Sequence, residues 1–246
     1  MKFIKFTPCH VVMRAVEKRP IFDNDNDCSR FIYQMYAGNL GRSAFNVYRK
    51  NLIYIADNLL RGEELPWKMV NDRREVPIAD VLSFALVNDH AHFILSPNTE
   101  DGISKYIHKL KVSFSKYYNS AHDREGILFN RSFKRIPLET TSEIEAAIRY
   151  VNVKCPLDVY NSEWKNGVEN WQEAFDFVSK YKYSSYSDLF DKRNSKLLAP
   201  RAILEKYIGG ELNKNSVENI DFIENYLGNK LDHYYPVFLE KNVKTL

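Results

Sequence analysis

Two histidines one residue apart, His90 and His92, sit inside the apolar run from Val81 to Pro97, VLSFALVNDHAHFILSP. Side chains at i and i+2 of a strand leave the same face of a sheet. Two imidazoles flanking Ala91 can therefore converge on one divalent ion without any loop rearrangement, while Phe93 and Leu95 point to the other face. The same tripeptide also occurs as a hydrogen-bonded structural pair, so the surrounding elements have to decide between a metal site and packing.

Those elements can be read in order. Cys9 to Val16, CHVVMRAV, is a short β-branched run ended by Pro20 and reads as a first strand. Asp23 to Asp27 offers acidic N-cap candidates for a helix whose stripe is Phe31, Met35 and Tyr36, and Gly38 and Gly41 weaken or end it. A second helical pattern runs from about Ala44 to Leu60. Residues 63–77 are polar, bracketed by prolines and read as a connector. VLSFALV and HAHFILSP then form two strands around Asn88-Asp89, or one bulged strand, which puts the histidines at an edge or turn.

Asp101 to Asn119 reads as a helix with Ile103, Ile107, Leu110 and Phe114 on its apolar face. Glu125 to Glu139, EGILFNRSFKRIPLE, alternates apolar and cationic groups on one parity and reads as a strand. Ser142-Glu143-Ile144-Glu145 fits a capping box, and Ile144, Ala147, Ile148 and Val151 follow at helical spacing. Tyr150 lies about 110° from the centre of that stripe, at the border of the buried side. From Leu197 two more helical patterns, APRAILEKYI and SVENIDFIENYLGNKLDHYY, are joined by Gly209-Gly210 and read as a C-terminal helical appendage.

Charge narrows the function classes. The total is only +3, yet residues 105 to 135 hold eight Lys or Arg against two acids, a local +6 that leaves −3 for the rest. This run is interleaved with Tyr106, Phe114, Tyr117, Tyr118, Phe129 and Phe133. Cations mixed with aromatic rings suit the phosphates and bases of single-stranded nucleic acid. Three cysteines, Cys9, Cys28 and Cys155, without close spacing argue against a disulfide framework or an all-cysteine zinc site. No segment has the ~20 apolar residues needed to span a bilayer, and MKFIKFTPCH lacks a signal-peptide run, so a cytoplasmic protein with no membrane partner is expected.

Five stretches, taken in order, resemble the REP-associated tyrosine transposases, a branch of the single-tyrosine HUH transposases of the insertion-sequence type. HVVMRAVEKRPIF is similar to the family's first strand and turn, LVNDHAHFIL to its HUH strand, and GILFNRSFKRIPLE to its L-F-x-x-R-F-K strand. IRYVNVKCP is similar to its tyrosine helix and YKYSSYSDL to the W-S-S-Y segment after it, so the likeness covers about residues 9–190. It implies an α+β fold: a ferredoxin-like central antiparallel sheet with helices on one face. A transposase-like domain would span residues 1–190, with an extended connection at about 42–77, and an appendage residues 191–246.

The resemblance further implies metal-dependent nicking and strand transfer of single-stranded or hairpin DNA. His90 and His92 would hold magnesium or manganese, and Tyr150 would be the nucleophile of a phosphotyrosine intermediate, with no nucleotide cofactor. Arg14, Lys105, Lys109, Lys116, Arg131, Lys134 and Arg135 are the candidate DNA contacts, on a monomer or homodimer. Departures from the family pattern are Asn88-Asp89 in place of P-N, Arg14-Ala15 in place of R-G, and Lys154-Cys155-Pro156 in place of N-P after the tyrosine. The position of a third metal ligand is held by Lys154, a poor ligand when protonated, which leaves Asn152, Glu143 or no residue for that role. Tyr117 and Tyr118 are rival tyrosines better explained by packing or stacking, and His10, His108, His122 and His233 lack partners at ligand spacing and read as structural. Two other classes stay open, a nucleic-acid-binding protein with decayed catalysis and a metal-dependent nuclease without a covalent step.

Overall fold

The computed structural model describes residues 7–40, 51–64, 76–164, 168–190 and 193–210. Four strands form one antiparallel sheet: β1 (Cys9–Arg14), β2 (Ala79–Val87), β3 (His90–Pro97) and β4 (Lys134–Pro137), in the order β2-β3-β1-β4. Helix α1 (Asp25–Asn39), followed by α2 (Leu52–Arg61), lies between β1 and β2, and α3 (Gly102–Ala121) lies between β3 and β4. This is the expected α+β, ferredoxin-like arrangement. The Asn88-Asp89 turn joins β2 to β3 as a two-residue hairpin in which Val87 pairs with His90.

Strand parity divides the sheet into two faces. On one face Val11, Met13, Phe84, Phe93 and Leu95 meet Phe31 of α1 and Phe114 of α3 in the larger core. Each such aromatic or aliphatic side chain contributes about 1.5–3 kcal/mol by burial. Helices α1 and α3 thus lie on one face, as expected. The other face is covered too, by α4 (Thr141–Arg149), a π-helical turn (Tyr150–Lys154) and α5 (Cys155–Tyr160), whose Ile144, Ala147, Ile148 and Val151 pack on Ala85, Val87 and Ile94. That second layer exists because β2 is apolar on both parities and β3 adds Ile94 to the second face, and one layer of helices would leave Leu82, Val87 and Ile94 in water.

Several boundaries differ from the sequence reading. The N-cap of α1 is Asn24, whose side chain accepts from the Asp27 amide, rather than one of the acids around it. The capping box of α4 is Thr140 with Glu143, two residues before Ser142, because Thr140 has the extended backbone an N-cap needs. Only Lys134–Pro137 of the Glu125–Glu139 stretch is strand, and Phe129 adds an isolated bridge to Ala15. The early part of the second helical pattern, most of the 63–77 connector, His233 and the last helical pattern lie outside the described residues.

After α6 (Trp171–Lys180), Tyr183 to Ser185 run along the open edge of β2. The Leu86 amide donates to the Tyr183 carbonyl and the Ser185 amide to the Phe84 carbonyl. Helix α7 (Tyr186–Phe190) follows. Helix α8 (Arg201–Ile208) sets Leu204 and Ile208 into the second core, the Ala199 amide donates to the Val81 carbonyl and the Lys196 amide to the Leu59 carbonyl. The packing is therefore continuous across residue 190 as far as α8. Among the described residues no helix is long and apolar enough to cross a membrane, and Cys9, Cys28 and Cys155 are free and buried.

Candidate active site

The hairpin places His90 and His92 on the face that the tyrosine helix covers, with ring centroids 4.7 Å apart. Asp89, the second turn residue, bonds His90 Nδ1 through its carboxylate and lies 3.7 Å from Arg14 Nε. A carboxylate on one ring nitrogen fixes a histidine's tautomer and turns its other nitrogen outward as a ligand. His90 Nε2 here faces the Arg14 guanidinium at 3.3 Å. Asp89 is thus a site residue that the motif reading passed over, and its position directly before the H-x-H was the available signal.

His10 also belongs to the site, which corrects its assignment as a histidine without partners. Its Nε2 lies 2.8 Å from His92 Nδ1, and the two rings stack with centroids 5.1 Å apart. The parity of CHVVMR already sets His10, Val12 and Arg14 on one face. Only the pairing of β1 beside β3 brings that face to the histidines. His108 is exposed on α3, and His122 bonds Asp27 instead.

Tyr150 stands over this cluster. Its ring meets His92 edge-on at 5.6 Å between centroids and His10 at 5.7 Å. It opens the π-helical turn, in which the Cys155 amide reaches back five residues to the Tyr150 carbonyl. Pro156 explains the widening, since it lacks an amide hydrogen and its ring would collide with the carbonyl four residues back in a regular helix. Asn152 locks the turn to the sheet. Its amide donates to Ser83 Oγ (2.9 Å) and the Ile148 carbonyl (2.7 Å), and its oxygen accepts from Ser185 Oγ at 2.7 Å. Ser185 of YKYSSYSDL thereby helps to orient the tyrosine helix.

These bonds remove both alternative third ligands. Asn152 is fully buried with its amide engaged away from the histidines, and Glu143 is committed to the capping box at the far end of α4. Lys154 instead projects beside Tyr150, with Nζ 5.1 Å from the ring centroid, and pairs with Asp158. Trp164 Nε1 donates to the second oxygen of Asp158 at 2.8 Å. Among the described residues no group of three or more His, Cys, Asp or Glu is arranged to hold a metal ion.

A cavity of about 400 Å³ opens between these groups, walled by the three histidines, Arg14, Asn130, Ser132, Lys134, Tyr150, Lys154 and Asp158. Burial lowers the pKa of all three histidines, of His10 to about 3, so each is neutral at neutral pH. Neutral imidazole is the form that binds metal. His92 Nε2 is buried without a hydrogen-bond partner, the kind of orphaned acceptor a metal would satisfy, so the pair His90 and His92 fits a divalent ion. Burial pushes the Tyr150 hydroxyl up to about 12, against the opposing charge of Lys154. For Lys154 burial alone would favour the neutral amine, but the Asp158 carboxylate paired with it keeps the ammonium.

The candidate DNA contacts separate into groups. Arg14 and Lys134 line the cavity, and exposed Arg131 sits between the cavity-lining Asn130 and Ser132, its carbonyl accepting from Lys111. Arg135 turns to the other face of β4, where its Nε donates to Cys9 Sγ at 3.2 Å. Lys105, Lys109 and Lys116 lie on α3, which packs on the sheet face away from the histidines, and Lys105 pairs with Asp101 at 2.8 Å. Tyr117 and Tyr118 are remote from the cavity, donating to Asp27 Oδ1 and the Pro20 carbonyl.

The segment that carries the H-x-H strand and Tyr150 also matches a known family. Residues 65–154 match the family model described as "Transposase IS200 like". Among solved structures, one of a REP-associated tyrosine transposase bound to a REP hairpin is similar, at 13% identity and a TM-score of 0.41, over 81% of this chain and 89% of that one. No curated protein matches the chain. The resemblance carried by the ordered motifs is thus borne out over residues 65–154, where the chain is similar to the IS200-like transposases.

Proposed function

We propose that the protein nicks and rejoins single-stranded or hairpin DNA through a covalent bond to Tyr150, with a divalent metal held by His90 and His92. The observation that carries this reading is the edge-on contact of Tyr150 with His92 in a cavity whose rim carries Arg14 and Lys134. A nucleophile, two neutral imidazoles and a cationic rim are what transesterification of a phosphodiester requires.

When bound, magnesium or manganese polarises a non-bridging phosphate oxygen and orients the phosphate. His92 would hold it through the Nε2 that its bond to His10 leaves free, and His90 through the Nε2 that it shares with Arg14. Arg14 and Lys134 draw the backbone into the cavity and offset its charge. The Tyr150 oxygen attacks phosphorus as its proton leaves to water, the bond to one sugar oxygen breaks, and that oxygen takes a proton from water. The phosphotyrosine keeps the bond energy needed for rejoining, so no nucleotide cofactor is required.

The test is incubation of labelled hairpin-bearing single strands with protein and manganese, followed by a denaturing gel. A covalent adduct that is lost in Tyr150→Phe is the expected result. Cleavage with no adduct would replace this reading by a metal-dependent nuclease, and binding with neither would indicate decayed catalysis. An adduct that persists in Tyr150→Phe but vanishes in Tyr117→Phe or Tyr118→Phe would move the nucleophile to α3.

A further inference from the structure

We propose that Lys154 is a second catalytic group, a fixed cation beside Tyr150 that stabilises negative charge as the tyrosine oxygen attacks phosphorus. The inference rests on the reading of Tyr150 as nucleophile and assigns a role to the position where the resemblance leads one to expect a metal ligand.

Geometry carries it. Lys154 lies one helical turn after Tyr150, its Nζ is 5.1 Å from the ring centroid, and both side chains line the same cavity. The side chain is only 16% exposed, so its charge is screened little by water. Its length does not leave it free to roam. Asp158, four residues on, holds the ammonium, and the Trp164 indole fixes Asp158 from behind at 2.8 Å. All three polar groups at this end of the cavity are therefore in place before substrate arrives, which is the condition for electrostatic catalysis.

The chemistry follows from charge. Tyr150 is held by burial in the neutral form, and a phenol is a weak nucleophile until its oxygen can carry negative charge. In the step, the Tyr150 O–H proton goes to water in the open cavity and the O–P bond forms. The bond from phosphorus to the leaving sugar oxygen then breaks, and that oxygen is protonated by water. Lys154 keeps its three protons throughout and donates a hydrogen bond to the oxygen where charge appears. Asp158 and Trp164 are positioning residues that act through Lys154.

Single-turnover adduct formation on a labelled hairpin-bearing single strand, with manganese, separates this role from folding and binding. Lys154→Met should slow adduct formation about a hundredfold, and Lys154→Arg should recover most of the rate. Affinities for DNA and for manganese should stay within about twofold of wild type in both variants. Asp158→Asn should slow the wild type but add little to Lys154→Met, because the aspartate acts through the lysine. The double variant Lys154→Met/Asp158→Asn leaves no unpaired charge, so it reports the rate if Lys154→Met alone folds poorly. A near-wild-type rate in Lys154→Met or in the double variant, or a loss matched by lost DNA affinity, overturns the proposal while Tyr150 remains the nucleophile. A wild type that forms no adduct, or an adduct unaffected by Tyr150→Phe, overturns the parent reading and this one with it.

Discussion

His10 Nε2 lies 2.8 Å from His92 Nδ1, although the strand register sets His10 opposite Ile94 and His92 opposite Val12. The contact is a diagonal across neighbouring strands, and it occupies one nitrogen of each ring. A proton on His92 Nδ1 donated to His10 leaves His92 Nε2 with a lone pair, and that nitrogen is buried without a partner. His10 therefore stands to His92 as Asp89 stands to His90.

Metal binding should follow from this arrangement. In calorimetric titrations with manganese, His90→Ala and His92→Ala should each remove measurable binding. His10→Phe, which keeps ring volume but offers no acceptor, should weaken it about 10- to 100-fold. Equal manganese affinity in wild type and in the His90→Ala/His92→Ala double variant would remove the site.

Acid should destabilise the metal-free protein. His10 has a folded pKa of about 3 against an ordinary value of 6.5, so between these values the unfolded chain binds a proton that the folded one does not. Stability is then complete above about 6.5 and falls with decreasing pH by up to about 1.4 kcal/mol per unit for each such histidine. His92 adds in the same direction. Urea unfolding at a series of pH values should show the decline, and His10→Phe should reduce its slope. A stability independent of pH between 4 and 6.5 would contradict the burial of neutral imidazoles.

Asn152 should matter for stability and not for metal. Asn152→Ala removes a buried amide joined to Ser83, Ser185 and the Ile148 carbonyl, at a cost of about 1–3 kcal/mol. Manganese affinity should be unchanged, provided the variant is assayed well below its melting temperature. A parallel loss of manganese binding would return Asn152 to the list of ligands.

The cationic groups should differ in their effect on DNA. Lys134→Ala should weaken binding and lower the slope of log affinity against log salt by about 1, as for one phosphate contact. Arg135→Ala, on the other face of β4, should leave that slope intact. The triple change of Lys105, Lys109 and Lys116 to alanine should affect only DNA long enough to pass around the sheet to α3. Equal losses for Lys134→Ala and the triple variant on a short single strand would place the main contact on α3.

The sequence by itself determined the features that depend on local periodicity. A period of two placed His90 and His92 on one face, and a period of 3.6 selected Ile144, Ala147, Ile148 and Val151 as the buried side with Tyr150 at its border. The hairpin at Asn88-Asp89 and the helix over α3 were equally legible, because turn residues and apolar stripes act within a few positions. Strand order is not a local property. Nothing near His10 announces that β1 will lie between β3 and β4, and only that neighbourhood turns an isolated histidine into the partner of His92. The same holds for Asn152, which reads as a polar ligand beside a tyrosine until Ser83 and Ser185, distant in the chain, claim its amide. The second helical layer was hidden for a related reason: β2 is apolar on both parities, and such a strand shows that both faces are covered without saying by what. Tertiary packing supplied the answer. In doing so it set Tyr150 over the histidines and Lys154 beside Tyr150.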